Sequence, residues 1–421
     1  MSEMKWQSIS VDALRPAAYN PRKKLKAGDK EYDKIKNSIL EFGYVEPIIV
    51  NYDMTVIGGH QRLTVLKDLG YTEVQCVVVE IADENKVKAL NIALNKIAGA
   101  WDENMLADLL ADLKSVDFNT DFTGFEPPEI DQIMTRVHDK NSKEDDFDVD
   151  AALEEETFVK PGDVWHLGKH RMMCGDATKA EDVAILMNGK KANLAVTDPP
   201  YNCSYEGGTG MTIMNDNMES GKFYTFLYAA MKNAYNHLAD GGAIYVFHSD
   251  AEKVNFYNAI VNAGFHYSTT CIWVKNSLVL GRMDYQMRHE PIIYAFKDTE
   301  KHRWYSDRKQ STIWEFDRPT KSKLHPTTKP VELVAYPIRN SSQVNGIVLD
   351  LFGGSGSTLI ACEQIDRSAY LMELDPGYAA VIVKRYAEAA GDAKDVFVER
   401  EGEVFSLQEA LAGLNGGQAK P

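Results

Sequence analysis

Apolar residues fall along this chain in two rhythms, short unbroken runs and longer stretches at helical spacing, and their alternation predicts an α/β protein. At the front, Pro47-Ile48-Ile49-Val50 and Thr55-Val56-Ile57 read as strands around the turn Asn51-Tyr52-Asp53. A helix beginning near Lys30 and closing at Leu40 to Gly43 precedes them. Leu63 to Leu69 reads as a second helix and Val74 to Glu80 as another strand. Ile97 to Met134 carries helical spacing, with Met105, Leu106, Leu109, Leu110 and Leu113 on one face. Further on, Val164 to Leu167 and Arg171 to Cys174 pattern as a hairpin, and Asn193 to Thr197 and Gly242 to Phe247 as buried strands. Phe223 to Leu238 and Ala251 to Ala263 are helical. Thr270 to Val274 and Pro291 to Phe296 read as an antiparallel pair, and Gly346 to Phe352 and Ala369 to Met372 as two more buried strands with a helix, Leu359 to Gln364, between them.

Two of those strands end in chemistry. Asn193 to Thr197 runs into Asp198-Pro199-Pro200-Tyr201, where the prolines fix φ and withhold a donor, so the strand stops. Open α/β sheets place ligands at this carboxyl end. An acid, a rigid turn and an aromatic suit an exocyclic amine on a flat base. The Asp198 carboxylate and a proline carbonyl accept its two N–H bonds while Tyr201 stacks on the ring. Held out of plane, the nitrogen lone pair localises toward an incoming methyl group. A strand-ending turn with a capping Asp is the structural alternative. The second strand runs into Gly353-Gly354-Ser355-Gly356, then a helix, a strand and Glu373, 17 residues beyond Gly356. That spacing suits a carboxylate gripping the ribose of a nucleoside-containing cofactor. The turn lacks both G-x-G-x-x-G and a following lysine, which favours a ligand without phosphate.

Charge changes the picture locally rather than globally. The net charge of −16 excludes a uniformly basic nucleic-acid binder. From Lys301 to Lys329, however, eight Lys/Arg stand against three acids, a balance of +5, with Arg303, Trp304, Trp314 and Phe316 interleaved. Basic and aromatic side chains together suit phosphate anchoring and base contacts. Arg303, Trp314, Lys321 and Lys323 are the candidate DNA contacts, and an exposed loop over a small satellite core is the alternative. From Lys140 to Glu156, eight acids and two lysines give −6, which reads as a solvated linker. Five cysteines without metal-ligand spacing read as reduced thiols of a cytosolic protein, and no metal site is expected. No apolar run approaches a membrane span, and the opening residues do not form a secretory signal.

Taken together, these motifs make residues 159–400 resemble a DNA amino-methyltransferase of class β, in which Asp-Pro-Pro-Tyr precedes the target-recognition region and the Phe352-x-Gly354-x-Gly356 loop comes last. Further matching pieces are Leu167 to Arg171, Gly175-Asp176-Ala177, Trp273-Val274-Lys275 and His325 to Pro330. The resemblance implies a doubly wound, Rossmann-like sheet with circularly reordered motifs and S-adenosylmethionine as cofactor. It implies methyl transfer to N6 of a flipped-out adenine in double-stranded DNA. By resemblance Asp176 lies near the cofactor adenine, although alone it reads equally as a helix N-cap. Glu373 holds ribose hydroxyls, Asp350 the methionyl amino group, and Thr328 and Lys329 the methionyl carboxylate. Phe352, Gly353, Gly354 and Gly356 form the close backbone approach. Cytosine-N4 methylation and a catalytically degenerate DNA-binding adaptor stay open as alternatives.

Residues 1–98 resemble the ParB/sulfiredoxin-like domain at Asn20-Pro21-Arg22, Phe42-Gly43, Pro47-Ile48 and Gly58-Gly59-His60-Gln61-Arg62, with a small α/β fold implied. A nucleotide or protein partner at this domain and a homodimer are open readings. Gln61 replaces the first of the family's paired arginines and Asn91 to Gly99 lacks its Glu-Asn-x-x-Arg box, so CTP hydrolysis is not expected. The expected organisation is the ParB-like domain, a helical extension over 99–138, an acidic linker over 139–158, the methyltransferase domain with target recognition at about 298–324, and a tail over 401–421. Every residue assigned to cofactor or base follows the acidic run, so a fragment beginning near Glu156 is expected to fold and methylate.

Overall fold

The computed structural model describes residues 5–96, 101–115, 118–125, 129–130, 133–134, 137, 142–203, 214–279, 284–317, 328–391 and 395–415. The chain divides into two compact units, Met1–Val137 and His138–Pro421. The first contains β1 (Lys5–Ser10), β2 (Arg15–Pro16), α1 (Lys30–Phe42), β3 (Ile48–Asn51), β4 (Thr55–Gly58), α2 (His60–Asp68), β5 (Glu73–Val79), α3 (Glu84–Asn95) and α4 (Glu103–Ser115). Its sheet runs β1-β5-β3-β4-β2, with β3 and β5 parallel and β1 and β5 antiparallel. Ile48, Val50, Val56, Leu66 and Cys76 fill its core. The leucines of α4 form a separate cluster with Ile92 and Phe125, so the helical extension packs as a small core of its own. The pattern along the chain does not reveal β1, because this edge strand buries only Ile9 and shows no period-two signal.

The second unit begins with α5 (Val149–Glu154), followed by β6 (Val164–Leu167), β7 (His170–Cys174), α6 (Ala180–Met187), β8 (Ala192–Thr197), α7 (Ser220–His237) and β9 (Leu238–Phe247). Then come α8 (Lys253–Ala263), β10 (His266–Val279), β11 (Met287–Phe296), β12 (Ile313–Glu315), α9 (Val331–Ser341), β13 (Ile347–Asp350), α10 (Ser357–Gln364), β14 (Ser368–Glu373) and α11 (Pro376–Ala390). Strands β15 (Val396–Arg400) and β16 (Glu403–Ser406) and helix α12 (Leu407–Asn415) close it. Eleven strands form one sheet in the order β12-β10-β11-β9-β8-β13-β14-β7-β6-β15-β16. Its middle, β9-β8-β13-β14-β7, is parallel throughout. Successive residues of these strands enter different clusters on the two faces: Leu194 and Val196 join one, Ala195 the other. Strands covered on both faces read as unbroken apolar runs, which is why the sequence exposes them.

The decisive feature is that β8 and β13 are neighbours, with Val348 opposite Leu194 and Leu349 opposite Ala195. From β8 the chain proceeds to β9 on one side, and from β13 to β14 on the other. The strand order therefore reverses between them, the place where doubly wound sheets open a crevice at their carboxyl ends. Asp198 and Asp350, 152 residues apart, come together there.

Two expectations need correction. Residues 401–415 are not a tail. Glu401 (φ +51°) and Gly402 (φ +85°) make a two-residue turn that pairs Arg400 with Glu403, and Leu407 and Ala410 enter the core. Residues 416–421 lie outside the described ones. Nor is the acidic run a solvated linker: α5 buries Val149 and Ala152 against Val381 of α11, and Asp145 pairs with Arg385.

Candidate active site

Where β8 stops, Asp198, Pro199, Pro200 and Tyr201 line a cavity of about 410 Å³. Asp176, Thr328, Lys329, Asp350, Phe352, Gly353, Gly354 and Glu373 line it as well, so residues far apart in the chain share one space. Gly356 is not in the wall. It caps α10 from below at φ +86°, and a Cβ there would stand 3.3 Å from Ile382.

On one side of the cavity lies the glycine turn. Asp350 Oδ1 accepts from the Thr197 hydroxyl at 2.9 Å and the Phe352 N–H at 3.1 Å, and Oδ2 accepts from the Thr358 hydroxyl at 2.6 Å. The acid thus ties β8, β13 and α10 together at one point. Burial pushes its carboxyl up to about 7, partly offset by these donors. A Cβ on Gly353 would fall 2.9 Å from Ile382 Cδ1 and 3.3 Å from the Met372 carbonyl oxygen, so a side chain there would require Ile382 to shift. The Gly354 N–H donates to Glu373 Oε2 at 2.7 Å, and the Asp375 N–H to Oε1 at 2.9 Å. Burial raises the Glu373 carboxyl to about 7 as well. Asp176 lines the cavity, and its Oδ1 accepts from the Thr178 N–H and hydroxyl; it is not the helix N-cap its position also suggests, because Lys179 occupies that place before α6.

On the other side is a cluster of four charges and a phenol. Asp198 Oδ2 stands 2.7 Å from Lys329 Nζ, and Oδ1 accepts from the Tyr201 hydroxyl at 2.7 Å. Lys329 Nζ is also 3.2 Å from Glu290 Oε2, and Glu290 Oε1 accepts from Lys275. The ammonium of Lys329 lies over the faces of Tyr201 and Phe247, 5.3 Å from each centroid. Burial pushes Glu290 up, but Lys329 and Lys275 outweigh it and bring the carboxyl down to about 2. Burial lowers Lys329, yet Asp198 and Glu290 more than compensate, so its pKa is raised and it stays an ammonium. For Asp198, burial dominates and the carboxyl is raised, with Lys329 opposing.

Lys329 therefore departs from its expected place: its ammonium pairs with Asp198 rather than reaching toward a cofactor carboxylate. Glu290 and Lys275 were not singled out for this site. Lys275 belongs to the Trp273-Val274-Lys275 piece but carries no assigned role there. Glu290 heads the apolar run of β11, and an acid in front of a buried strand was the available signal. The antiparallel register, with Trp273 opposite Glu290, brings the two together.

The expected DNA contacts fare differently. Trp314 is 4% exposed, packs edge-on against Tyr336 and donates its ring N–H to the Ser311 carbonyl. It is a core residue, because β12 pairs with β10 and turns the indole inward. Arg303 donates its backbone N–H to the Gly241 carbonyl near the start of β9. The cavity opens at the other end of that strand, about 20 Å away at 3.3 Å per residue, so Arg303 does not stand beside Asp198. Lys321 and Lys323 lie outside the described residues. In the first unit, Gly59 (φ +91°) caps α2, Arg62 bonds the Glu46 carbonyl and Arg22 the Asn95 carbonyl. Among the described residues no cluster has the makings of a metal site, and no helix is long and apolar enough to cross a membrane.

Comparison with known proteins agrees with this geometry. Residues 192–384 match the DNA methylase family of the N6/N4 type, residues 104–161 the ParB-methyltransferase HTH domain and residues 1–94 the ParB N-terminal domain. The chain is 26% identical over 238 residues to type II methyltransferase M.HpaI of Haemophilus parainfluenzae, covering 51% of this chain and 73% of that protein. It is 38% identical over 91 residues to a probable chromosome-partitioning protein ParB of Campylobacter jejuni, covering 21% and 31%. Among solved structures, M1.HpyAVI in complex with SAM aligns at 24% identity and a TM-score of 0.40, covering 51% of this chain and 98% of that one. Residues 192–384 thus belong to the N6/N4 DNA methylase family, and a ParB N-terminal domain and a ParB-methyltransferase HTH domain precede them in the same chain.

Proposed function

We propose that this protein transfers the methyl group of S-adenosylmethionine to N6 of adenine in DNA. The observation that carries the proposal is the meeting of Asp198 and Asp350 across β8 and β13, which puts an amine-binding corner and a nucleoside-binding turn in one cavity. The residues present fit the cofactor. Glu373 is a half-buried acceptor for ribose hydroxyls, Asp350 supplies negative charge for an amino group, and Gly353 and Gly354 carry no side chain to obstruct the backbone. When bound, the sulfonium supplies an activated methyl group and leaves with the electron pair of the broken carbon–sulfur bond.

The rest falls to the protein. A base paired in duplex must leave the stack to reach Asp198, at a cost of a few kcal/mol. Asp198 Oδ2 and the Pro199 carbonyl then accept the two amine hydrogens and direct the nitrogen lone pair along the methyl's approach. Glu290 offers Lys329 a second acceptor at 3.2 Å, so Oδ2 is released to the amine without stranding a buried ammonium. Once the nitrogen–carbon bond forms, the nitrogen turns acidic and Asp198 Oδ2 takes its proton. Positioning supplies most of the rate, because the donor is already reactive. Asp at the head of the Pro-Pro-Tyr corner, where cytosine-N4 relatives more often carry Ser, supports adenine. Incubation with methyl-labelled S-adenosylmethionine and unmethylated genomic DNA tests the reading: label should enter the DNA, and DNA left unlabelled contradicts it.

Cofactor binding should depend on pH. Asp350 and Glu373 are raised to about 7, so the protonated forms favour the fold. Their contribution to stability is complete below the ordinary carboxylate range near 4 and is lost as pH rises through about 7. A cationic ligand favours the ionised forms, so its affinity should rise by about tenfold per coupled group between about pH 6 and 8. Calorimetric titration with S-adenosylmethionine across that range checks this, and Asp350→Asn should flatten the slope. A flat profile in the unaltered protein contradicts it.

A further inference from the structure

We infer that the acidic segment 142–155, outside the residues matched as DNA methylase, is a strap whose Asp145 positions the cofactor-binding turn. This rests on the reading of the cavity as a site for S-adenosylmethionine. The strap is fastened along its length to the elements that build one side of the cavity. The Lys143 backbone exchanges two hydrogen bonds with the Gln364 side chain at the end of α10, at 2.7 and 3.0 Å. Glu144 Oε1 accepts from the Val331 N–H at 2.6 Å, at the start of α9 and two residues after Lys329. Both carboxylate oxygens of Asp145 are gripped by Arg385 of α11, at 2.7 and 2.8 Å. Beyond, Phe147 and Leu153 join Val149 and Ala152 against Val381, Glu155 pairs with Lys384, and the Thr157 hydroxyl bonds the Pro376 carbonyl.

Arg385 is what makes the strap reach the site. Its guanidinium is 3% exposed, and the nitrogen not used by Asp145 donates to the Ser355 carbonyl at 2.9 Å. Ser355 sits between Gly354, whose N–H meets Glu373, and Gly356, which starts α10. A chain of bonded groups therefore runs from Asp145 through Arg385 to Ser355 and on to the turn that the cofactor must approach. A two-pronged carboxylate fixes the plane of a guanidinium as a single acceptor does not. Without Asp145 the guanidinium is free to rotate, and the carbonyl it holds is free to turn with it. Asp145 touches neither cofactor nor base, so it is a positioning residue. Asp145 acts through Arg385 on the donor turn, across the cavity from Asp198 and Glu290, so the consequence of its loss should fall on cofactor binding rather than on the chemical step.

The test uses the full chain in steady-state methylation of DNA, with each substrate varied in turn and binding measured by calorimetry. Asp145→Ala leaves a buried guanidinium unpaired and risks misfolding, so the double variant Asp145→Asn/Arg385→Gln, which removes both charges, is measured beside it with its melting temperature. For the folded double variant, KM and Kd for S-adenosylmethionine should rise by about tenfold or more, with kcat and KM for DNA within about twofold. Arg385→Lys, which keeps the charge and loses the fork, should fall between. A double variant with cofactor Kd within twofold of the unaltered protein overturns the inference, as does an equal loss in kcat and both KM values. Failure of the unaltered protein to bind S-adenosylmethionine overturns the reading of the cavity itself, and the inference with it.

Discussion

Asp198→Ala should lower methyl transfer by about three orders of magnitude while changing the affinity for S-adenosylmethionine by less than about tenfold, roughly 1.4 kcal/mol. The separation follows from where the groups lie. Asp198 bonds Lys329 and Tyr201 on the base side of the cavity, and the donor side is held by Asp350, Glu373 and the glycine turn. The fold should survive the change. Lys329, buried as it is, keeps Glu290 at 3.2 Å, so the ammonium is not left without a carboxylate. What is lost is the acceptor that orients the amine and takes its proton. Single-turnover transfer with saturating cofactor, set beside a calorimetric Kd, measures both halves. A variant turning over within tenfold of the unaltered protein refutes the assignment, whatever its affinity.

The second large effect concerns where the methyltransferase domain begins. A fragment of residues 139–421 should be more stable than one of residues 156–421 by about 3–5 kcal/mol, since deleting the strap leaves the Arg385 guanidinium buried without its carboxylate. It also uncovers Val381 and the start of α9. For a domain of this size that corresponds to a melting temperature lower by about 10 °C. Equal melting temperatures for the two fragments would show that the strap is an ornament of the fold. The acidic run is therefore not solvated, and a fragment from Glu156 would lack these contacts.

The strap is not legible in the sequence for a physical reason. A run of acids reads as solvated because isolated carboxylates avoid burial, and the residue that changes the outcome lies 240 positions further along. Glu290 and Lys275 illustrate the same limit on a smaller scale: each is a single charge in a strand, and only the register of β10 against β11 makes them a pair. Trp314 shows the reverse error. Its basic neighbours suggest an exposed platform, yet pairing with β10 buries the indole against Tyr245 and Tyr336. The legible parts are those where local chemistry and fold agree. The strands β8, β13 and β14 are covered on both faces and announce themselves as apolar runs, and each ends in residues that only a turn at a carboxyl edge explains. Asp198, Tyr201, Asp350, Gly353 and Glu373 stand at or just beyond those strand ends and line one cavity. Edge strands such as β1 and β16, half exposed and short, carry no such signature.

The most direct measurement of the central claim is the identity of the methylated nucleoside. DNA incubated with the full chain and labelled S-adenosylmethionine, then digested to nucleosides and resolved by mass, should carry the new methyl group on N6 of deoxyadenosine. Label on N4 of deoxycytidine would keep the Asp198 corner but assign it the other base, and label on a ring carbon, or on no nucleoside, would contradict the account of an amine held by Asp198.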